Sequence, residues 1–400
     1  MISYSRQIIN SEDIRKVKEV LKSDFLTQGP KSRLFEKKLS KNVGAKFATT
    51  FNSGTSALHI SCLSLGVGKG DLVWTCTNSF VASANCALYC GANVDFVDID
   101  KSSYNISISD LEKKLKISKT LSKLPKVIIP VHFGGFPCDM KSIFELSKKY
   151  KFKIIEDASH ALGAKYYNNK IGDCKYSDIT VFSFHPIKII TTAEGGAALT
   201  NSSYLDNKLK LLRTHGITRQ KKYLVNKKKE SWYYEFQELG YNYRLNEIQS
   251  ALGLSQLERL NKWVGYRNQL ADIYTKELKN LPLIVPKVKK GYYSSYHLFV
   301  IRVLNNKRKI SRDFLYKLLK NNGIESNVHY IPIHSHPYYK KKGFKNKNFP
   351  NAIKYFKTCL SLPMHAGLTK KNQKTVINFL KKVYNNQIYL LKKNKENISN

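Results

Sequence analysis

The sequence predicts an α/β fold, a mainly parallel central sheet with helices on both faces, followed by a smaller C-terminal α+β unit. Three observations predict it. Short apolar, β-branched runs alternate with helical periodicity between Ala48 and Leu199, the pattern of a parallel sheet with crossover helices. Ser53 to Ser56, Phe80, Asp157, His160, Ser183 and Lys188 all fall at or just past the ends of those runs, where ligands gather in such sheets. Beyond Asn261 the regular alternation gives way to a mixture of helices and strands.

Taken in order, Ser11-Glu-Asp-Ile opens the first helix with a hydroxyl N-cap and acids in the first turn. Ile14, Val17, Val20 and Leu21 line one face of it. Leu26-Thr-Gln-Gly-Pro30 breaks the helix, and a second covers residues 34–39. A strand at 48–51 leads into Asn52-Ser-Gly-Thr-Ser-Ala-Leu58 and a helix over 57–65. Small residues and hydroxyls between a strand and a helix suit a phosphate, because outward N–H groups and the helix dipole favour an anion. Such hydroxyls also serve as plain caps. Strands follow at 71–75, 94–97, 127–131 and 153–155, with helices at 81–88, 110–115 and 140–150. The strand at 153–155 ends in Glu156-Asp157-Ala-Ser-His160. A buried strand over 179–184 runs into a polar turn holding Ser183, His185 and Lys188, and a second apolar run covers 196–199. A long helix over 247–260 closes a first domain, residues 1–260. The second domain, 261–390, holds helices at 266–278, 312–319 and 371–384 and strands at 296–303 and 324–328. The polar tail, 391–400, is expected to be disordered.

The formal charge is +39, from 68 basic and 29 acidic residues. The lysines are spread over the whole length, so they describe a background composition and not a nucleic-acid stripe; the cluster at 220–229 is expected to be a solvated loop. An anionic small substrate suits the excess equally well. No run of about eighteen apolar residues exists, which argues against a membrane span. The N-terminus lacks the apolar core of a signal peptide. Seven cysteines without a Cys-x-x-Cys pair indicate reduced thiols in a cytoplasm, with no metal site.

Lys188 decides the chemistry. A lone lysine at a strand end ordinarily snorkels to the surface. Burial instead disfavours its charged form, and a neutral amine is a nucleophile for carbonyls. An amine, an acid, an aromatic plate and a phosphate cradle together describe pyridoxal phosphate binding. Lys188 would hold the aldehyde and Asp157 the ring nitrogen. Phe80 would stack on the ring, and Thr55, Ser56 and Ser183 would bind the phosphate. Each has a plainer role: Asp157 as a helix cap, Phe80 as core, His160 and His185 as satisfied polar groups, Asn242 as a turn residue. Jointly those roles require many coincidences.

The motifs Leu-Thr-Gln-Gly (26–29), Asn-Ser-Gly-Thr-Ser-Ala-Leu (52–58), Ser-Phe-Val-Ala (79–82), Glu-Asp-Ala-Ser-His-Ala-Leu-Gly (156–163), Ser-Phe-His-Pro-Ile-Lys (183–188) and Gly-Tyr-Asn-Tyr-Arg-Leu-Asn-Glu (240–247) resemble those of the DegT/StrS nucleotide-sugar aminotransferases. The resemblance extends from Tyr4 to Tyr384 and implies the fold-type I, aspartate aminotransferase-like architecture. In detail it is similar to the branch that serves pseudaminic acid biosynthesis. That likeness implies amination at carbon 4 of a UDP-linked 4-keto-6-deoxy-N-acetylhexosamine, with L-glutamate as donor. It makes Lys188 the Schiff-base lysine and the proton carrier. It assigns cofactor contacts to Gly54, Thr55, Ser56, Phe80, Asp157, His160 and Ser183, with Asn242 reaching across a homodimer interface. It assigns UDP-sugar contacts to Tyr4, Asp24, Phe25, Leu26, Thr27, Gly54, Ser183, His185, Asn242, Asn327, Val328, His329 and Tyr330. Gly54, where that branch has alanine, is expected to be an easily tolerated change; Pro186 and Ile189 also depart from the pattern. Other nucleotide-linked keto sugars, of the bacillosamine, legionaminic or perosamine type, are the alternative. Sugar dehydrases share the scaffold but replace the lysine with histidine, and a basic nucleic-acid scaffold would bind no chromophore.

Overall fold

The protein is described here by a computed structural model covering residues 1–226, 230–304 and 310–385. The end of the basic cluster, 227–229, and residues 386–400, with the tail expected to be disordered, lie outside the described residues.

The strands are β1 (Phe47–Phe51), β2 (Leu72–Cys76), β3 (Asn93–Val97), β4 (Val127–Ile129), β5 (Lys153–Asp157), the short hairpin β6 (Lys165–Tyr166) and β7 (Asn169–Lys170), then β8 (Ile179–Ser183) and β9 (Gly196–Thr200). Seven of them form the central sheet, in the order β1-β9-β8-β5-β4-β2-β3. The run from β3 to β8 is parallel, and β9 is antiparallel to both its neighbours. The mainly parallel sheet is therefore as expected. β9 reverses because the connection from β8 is a turn with no crossover helix, which a parallel pair requires. β4 is buried throughout and β5 is buried from Ile154 onward, as befits a sheet covered on both faces.

Around it lie α1 (Ser11–Leu21), α2 (Pro30–Val43), α3 (Gly54–Ser64), α4 (Ala82–Tyr89), α5 (Ile108–Thr120), α6 (Met140–Tyr150), α7 (Ser203–Arg213), α8 (Glu247–Glu258) and α9 (Leu260–Leu278). α7 occupies a stretch for which the sequence predicts no element. α1 is capped by Asn10 and not by Ser11: Asn10 Oδ1 accepts the Asp13 N–H and Asp13 Oδ2 accepts the Asn10 N–H, each at 3.0 Å. Its expected apolar face is only partly used. Val20 is buried, while Ile14 and Leu21 stay exposed. The helix is instead anchored by buried Asp13, which pairs with Arg259 and accepts from Gln256.

A second, antiparallel sheet joins Leu283–Ile284, Phe299–Val303 and Cys359–Leu362, with the middle segment central. The strand expected at 324–328 is reduced to single bridges at Ile324 and Asn327. There the Asn327 side chain accepts the Val328 N–H at 2.8 Å, which takes that donor out of any ladder. Two apolar clusters fill the molecule. α9 contributes Leu260, Trp263 and Val264 to the first and Leu270, Ala271, Tyr274 and Leu278 to the second.

Candidate active site

The carboxyl ends of β5 and β8, the first turns of α3 and α4, and the segment 327–330 enclose a cavity of about 350 Å³. Ser53 caps α3, its Oγ accepting the Ser56 N–H at 3.0 Å. Gly54 and Thr55 then face the cavity, where the unpaired N–H groups of a helix start favour an anion. Ser56 does not follow the expectation. Its hydroxyl bonds to Ser53 at 2.8 Å, and the residue is buried outside the cavity wall. The hydroxyls left for a phosphate are those of Thr55 and Ser183. Gly54 is not a neutral difference either: a Cβ there would lie 2.9 Å from the Ser183 Cβ. The first turn of α3 thus sits close on the end of β8 because residue 54 has no side chain.

Asp157 is the last residue of β5 and is buried. Oδ2 accepts the Ser83 hydroxyl at 2.6 Å; Oδ1 accepts the Ser159 hydroxyl at 2.6 Å and the Ser159 N–H at 3.1 Å. It does close a turn through Ser159, but it also faces the cavity. Phe80 lines the same cavity and is 58% exposed, so it is not core packing. Lys188 enters from the turn after β8, where its N–H donates to the His185 carbonyl at 2.9 Å. Burial of its amine pulls the pKa from 10.5 down to about 8, against the opposing attraction of Asp157.

His160 stands behind these groups. Its Nδ1 accepts the Gly134 N–H at 3.2 Å, which leaves the ring proton on Nε2 to donate to the Tyr330 hydroxyl at 3.2 Å. Burial, then the charge of Lys188, hold its pKa well below the ordinary value, so the ring is neutral. His329 is held down to about 3, by burial and then Lys188; its Nδ1 shares a proton with Ser361 Oγ at 2.7 Å. Tyr4 lies 5.9 Å from His329, ring to ring. His185 is more open, with Nε2 3.9 Å from Glu194.

Of the residues singled out in the sequence, Tyr4, Gly54, Thr55, Phe80, Asp157, His160, Ser183, His185, Lys188, Asn327, His329 and Tyr330 meet at this cavity. Asp24, Phe25, Leu26 and Thr27 do not; they are exposed on the loop between α1 and α2. Val328 is outside the wall, and Asn242 is exposed and bridged to Thr214. The sequence reading missed Ser79, Ser83, Ser159 and Glu194. Ser159 was within reach, two residues after Asp157, and Glu194 sits inside the lysine's own motif. Ser83 carries no local signal, because its partner is 74 positions away. A roomier groove of about 800 Å³ passes Lys153 and Asp178, at the opposite ends of the strands. There Lys208 and Glu238 neutralise each other at 2.6 Å.

The donor set fits pyridoxal phosphate: an amine with a lowered pKa, a buried carboxylate, an uncovered aromatic ring and a helix start whose glycine admits close approach. Known proteins agree. A profile of the DegT/DnrJ/EryC1/StrS aminotransferase family matches residues 7–381. A Campylobacter jejuni protein named UDP-4-amino-4,6-dideoxy-N-acetyl-beta-L-altrosamine transaminase is 39% identical over 389 residues, 96% of this chain and 98% of its own. The solved structure of Helicobacter pylori PseC, an aminotransferase of pseudaminic acid biosynthesis, superposes with a TM-score of 0.86 at 35% identity, covering 96% of this chain and 99% of that one. A sugar aminotransferase from Streptococcus pneumoniae, solved in a PMP form, gives 0.87 at 29% identity, covering 96% and 99%.

Proposed function

The chain belongs to the DegT/DnrJ/EryC1/StrS aminotransferase family, and on that premise we propose that it moves an amino group from L-glutamate to carbon 4 of a UDP-linked 4-keto-6-deoxy-N-acetylhexosamine, yielding a UDP-4-amino sugar for pseudaminic acid. The observation that carries the reading is the meeting of Lys188 and Asp157 in one cavity whose wall includes the first turn of α3. Pyridoxal phosphate, when bound, supplies the electron sink for the carbanion. Asp157 would accept the ring N–H, Phe80 would cover a ring face, and Thr55 and Ser183 would receive the phosphate. Lys188 Nζ takes the α-proton of glutamate and later returns a proton to sugar carbon 4. Its lowered pKa leaves much more of the neutral amine near neutral pH than a surface lysine has. Proton transfer of this kind contributes about 10²- to 10⁴-fold. In this reading Tyr4, Asn327 and His329, which line the same wall, touch the sugar.

The protein works as a homodimer with shared sites. Supporting this, Ile14 and Leu21 on α1 and Phe25 and Leu26 in the loop after it expose apolar side chains, and Asn242 is exposed outside its own chain's cavity. The setting is cytoplasmic. Among the described residues no helix is long and apolar enough to cross a membrane, and all seven cysteines are free thiols.

The test is a two-step visible spectrum. Glutamate should convert the cofactor band, and the UDP-2-acetamido-2,6-dideoxy-4-keto sugar of L-arabino configuration should restore it. Restoration by the D-xylo sugar instead moves the substrate to the bacillosamine type. A band that glutamate leaves unchanged refutes the proposed transamination.

A further inference from the structure

We infer that Ser83, supported by Ser79, is a positioning residue for Asp157, fixing the carboxylate that meets the cofactor ring. The inference rests on the proposed function above. A serine in the first turn of a helix commonly points to solvent or bonds to nearby backbone. Ser83, on α4 and fully buried, instead donates across to Asp157 Oδ2 on β5 at 2.6 Å. Because its proton is committed to the carboxylate, its lone pairs accept from the Ser79 hydroxyl, 2.8 Å away and also buried. Two hydroxyls in series strengthen one another. On the other side, Ser159 donates twice to Oδ1.

Both oxygens are thus held from the protein side, and the residue still lines the cavity. No cation lies in direct ion-pair contact with Asp157 among the described residues, so hydroxyl and amide donors, with the longer-range attraction of Lys188, offset the burial of its charge. The segment 79–83 therefore has two duties. Phe80 meets the ring from its face, and Ser83 sets the acid at its edge. A shift of α4 would move both.

The experiment compares wild type, Ser83→Ala, Ser83→Thr and Ser79→Ala as full chains. Three quantities are read: the Kd for pyridoxal phosphate by equilibrium dialysis, the pH midpoint of the bound cofactor's visible band, and the melting temperature without cofactor. Loss of one hydrogen bond to a charged group predicts that Ser83→Ala binds about tenfold more weakly and moves the midpoint by about one pH unit. Ser83→Thr, which keeps the hydroxyl, should stay within about twofold of wild type. The inference is overturned if Ser83→Ala matches wild type in both cofactor readouts, or if Ser83→Thr is as impaired as Ser83→Ala. Should Ser83→Ala not fold, Ser79→Ala decides, with a smaller shift in the same direction expected and no shift overturning the idea. A wild-type chain that takes up no pyridoxal phosphate fails the underlying reading, whatever the variants do.

Discussion

Lys188 is one of 68 basic residues, and only its surroundings separate it from the rest. Two effects compete on its amine. Burial disfavours the charged form, and the carboxylate of Asp157 favours it. Burial wins, and the pKa settles at about 8 instead of 10.5. A lowered amine pKa means that the neutral, reactive form is half populated at about pH 8 and dominates above it. In the cofactor-free protein, the rate at which Lys188 is labelled by a small acylating reagent should therefore rise through a midpoint near pH 8. Surface lysines should keep rising toward 10.5. Changing Asp157 to Asn removes the attraction that opposes burial, so the midpoint should fall further. Quantifying the labelled Lys188 peptide by mass spectrometry against pH checks both. A midpoint at or above 10 would show that the amine is solvated and that the electrostatic argument fails.

At the scale of elements, much of the fold was legible because strands here are short, mostly apolar or β-branched runs between turn signals. α6 falls on its expected residues, and β1, β2 and β3 fall within a residue. What escaped were elements whose pattern is diluted or whose geometry depends on distant groups. α7 buries only Leu205, Asp206, Leu209 and Leu212 among lysines and asparagine, a narrow stripe that reads as polar chain. The helix expected from residue 247 does begin there, capped by Asn246, but nothing in the sequence marks the role of Glu247. Its buried carboxylate accepts the N–H groups of Lys31 at 2.7 Å and Ser32 at 3.0 Å, and its own N–H donates to the Leu26 carbonyl at 3.0 Å. It also crowds Gly29, where a Cβ would lie 2.7 Å from Oε2. Glu247 thus seats the start of α2, and with it the loop 24–29, from 216 positions away. Glu247→Gln replaces one acceptor with a donor facing a donor. It should cost about 1–3 kcal/mol in urea unfolding, with α8 itself still capped. A change under about 0.5 kcal/mol would show that the start of α2 is held by other contacts.

The whole molecule gathers its site from residue 4 to residue 330. The sequence exposed this much because Ser53 to Ser56, Phe80, Asp157, Ser183 and Lys188 lie at or just past strand ends, and parallel strands bring their ends together. It did not distinguish groups that reach the cavity of their own chain from groups that leave it. Asn242, Leu26 and Thr27 belong to motifs of the same family pattern as the lysine's yet are exposed outside the wall. A shared site accounts for both facts, since a group that serves a second copy must be displayed by the first. The two possibilities separate in a mixed dimer of one Lys188→Ala chain and one Asn242→Ala chain. Each homodimer should be impaired. The first lacks the proposed proton carrier; the second loses the cofactor contact proposed for Asn242 and should hold pyridoxal phosphate about tenfold more weakly. If Asn242 acts across the interface, the mixed dimer has one site with both residues and one with neither. It should then show about half the wild-type rate of glutamate-driven band conversion at low cofactor concentration. If Asn242 acts within its own chain, every site in the mixed dimer carries a defect. Tagged co-purification followed by stopped-flow absorbance reads the difference, and no recovery above the Asn242→Ala homodimer would remove Asn242 from the partner's site.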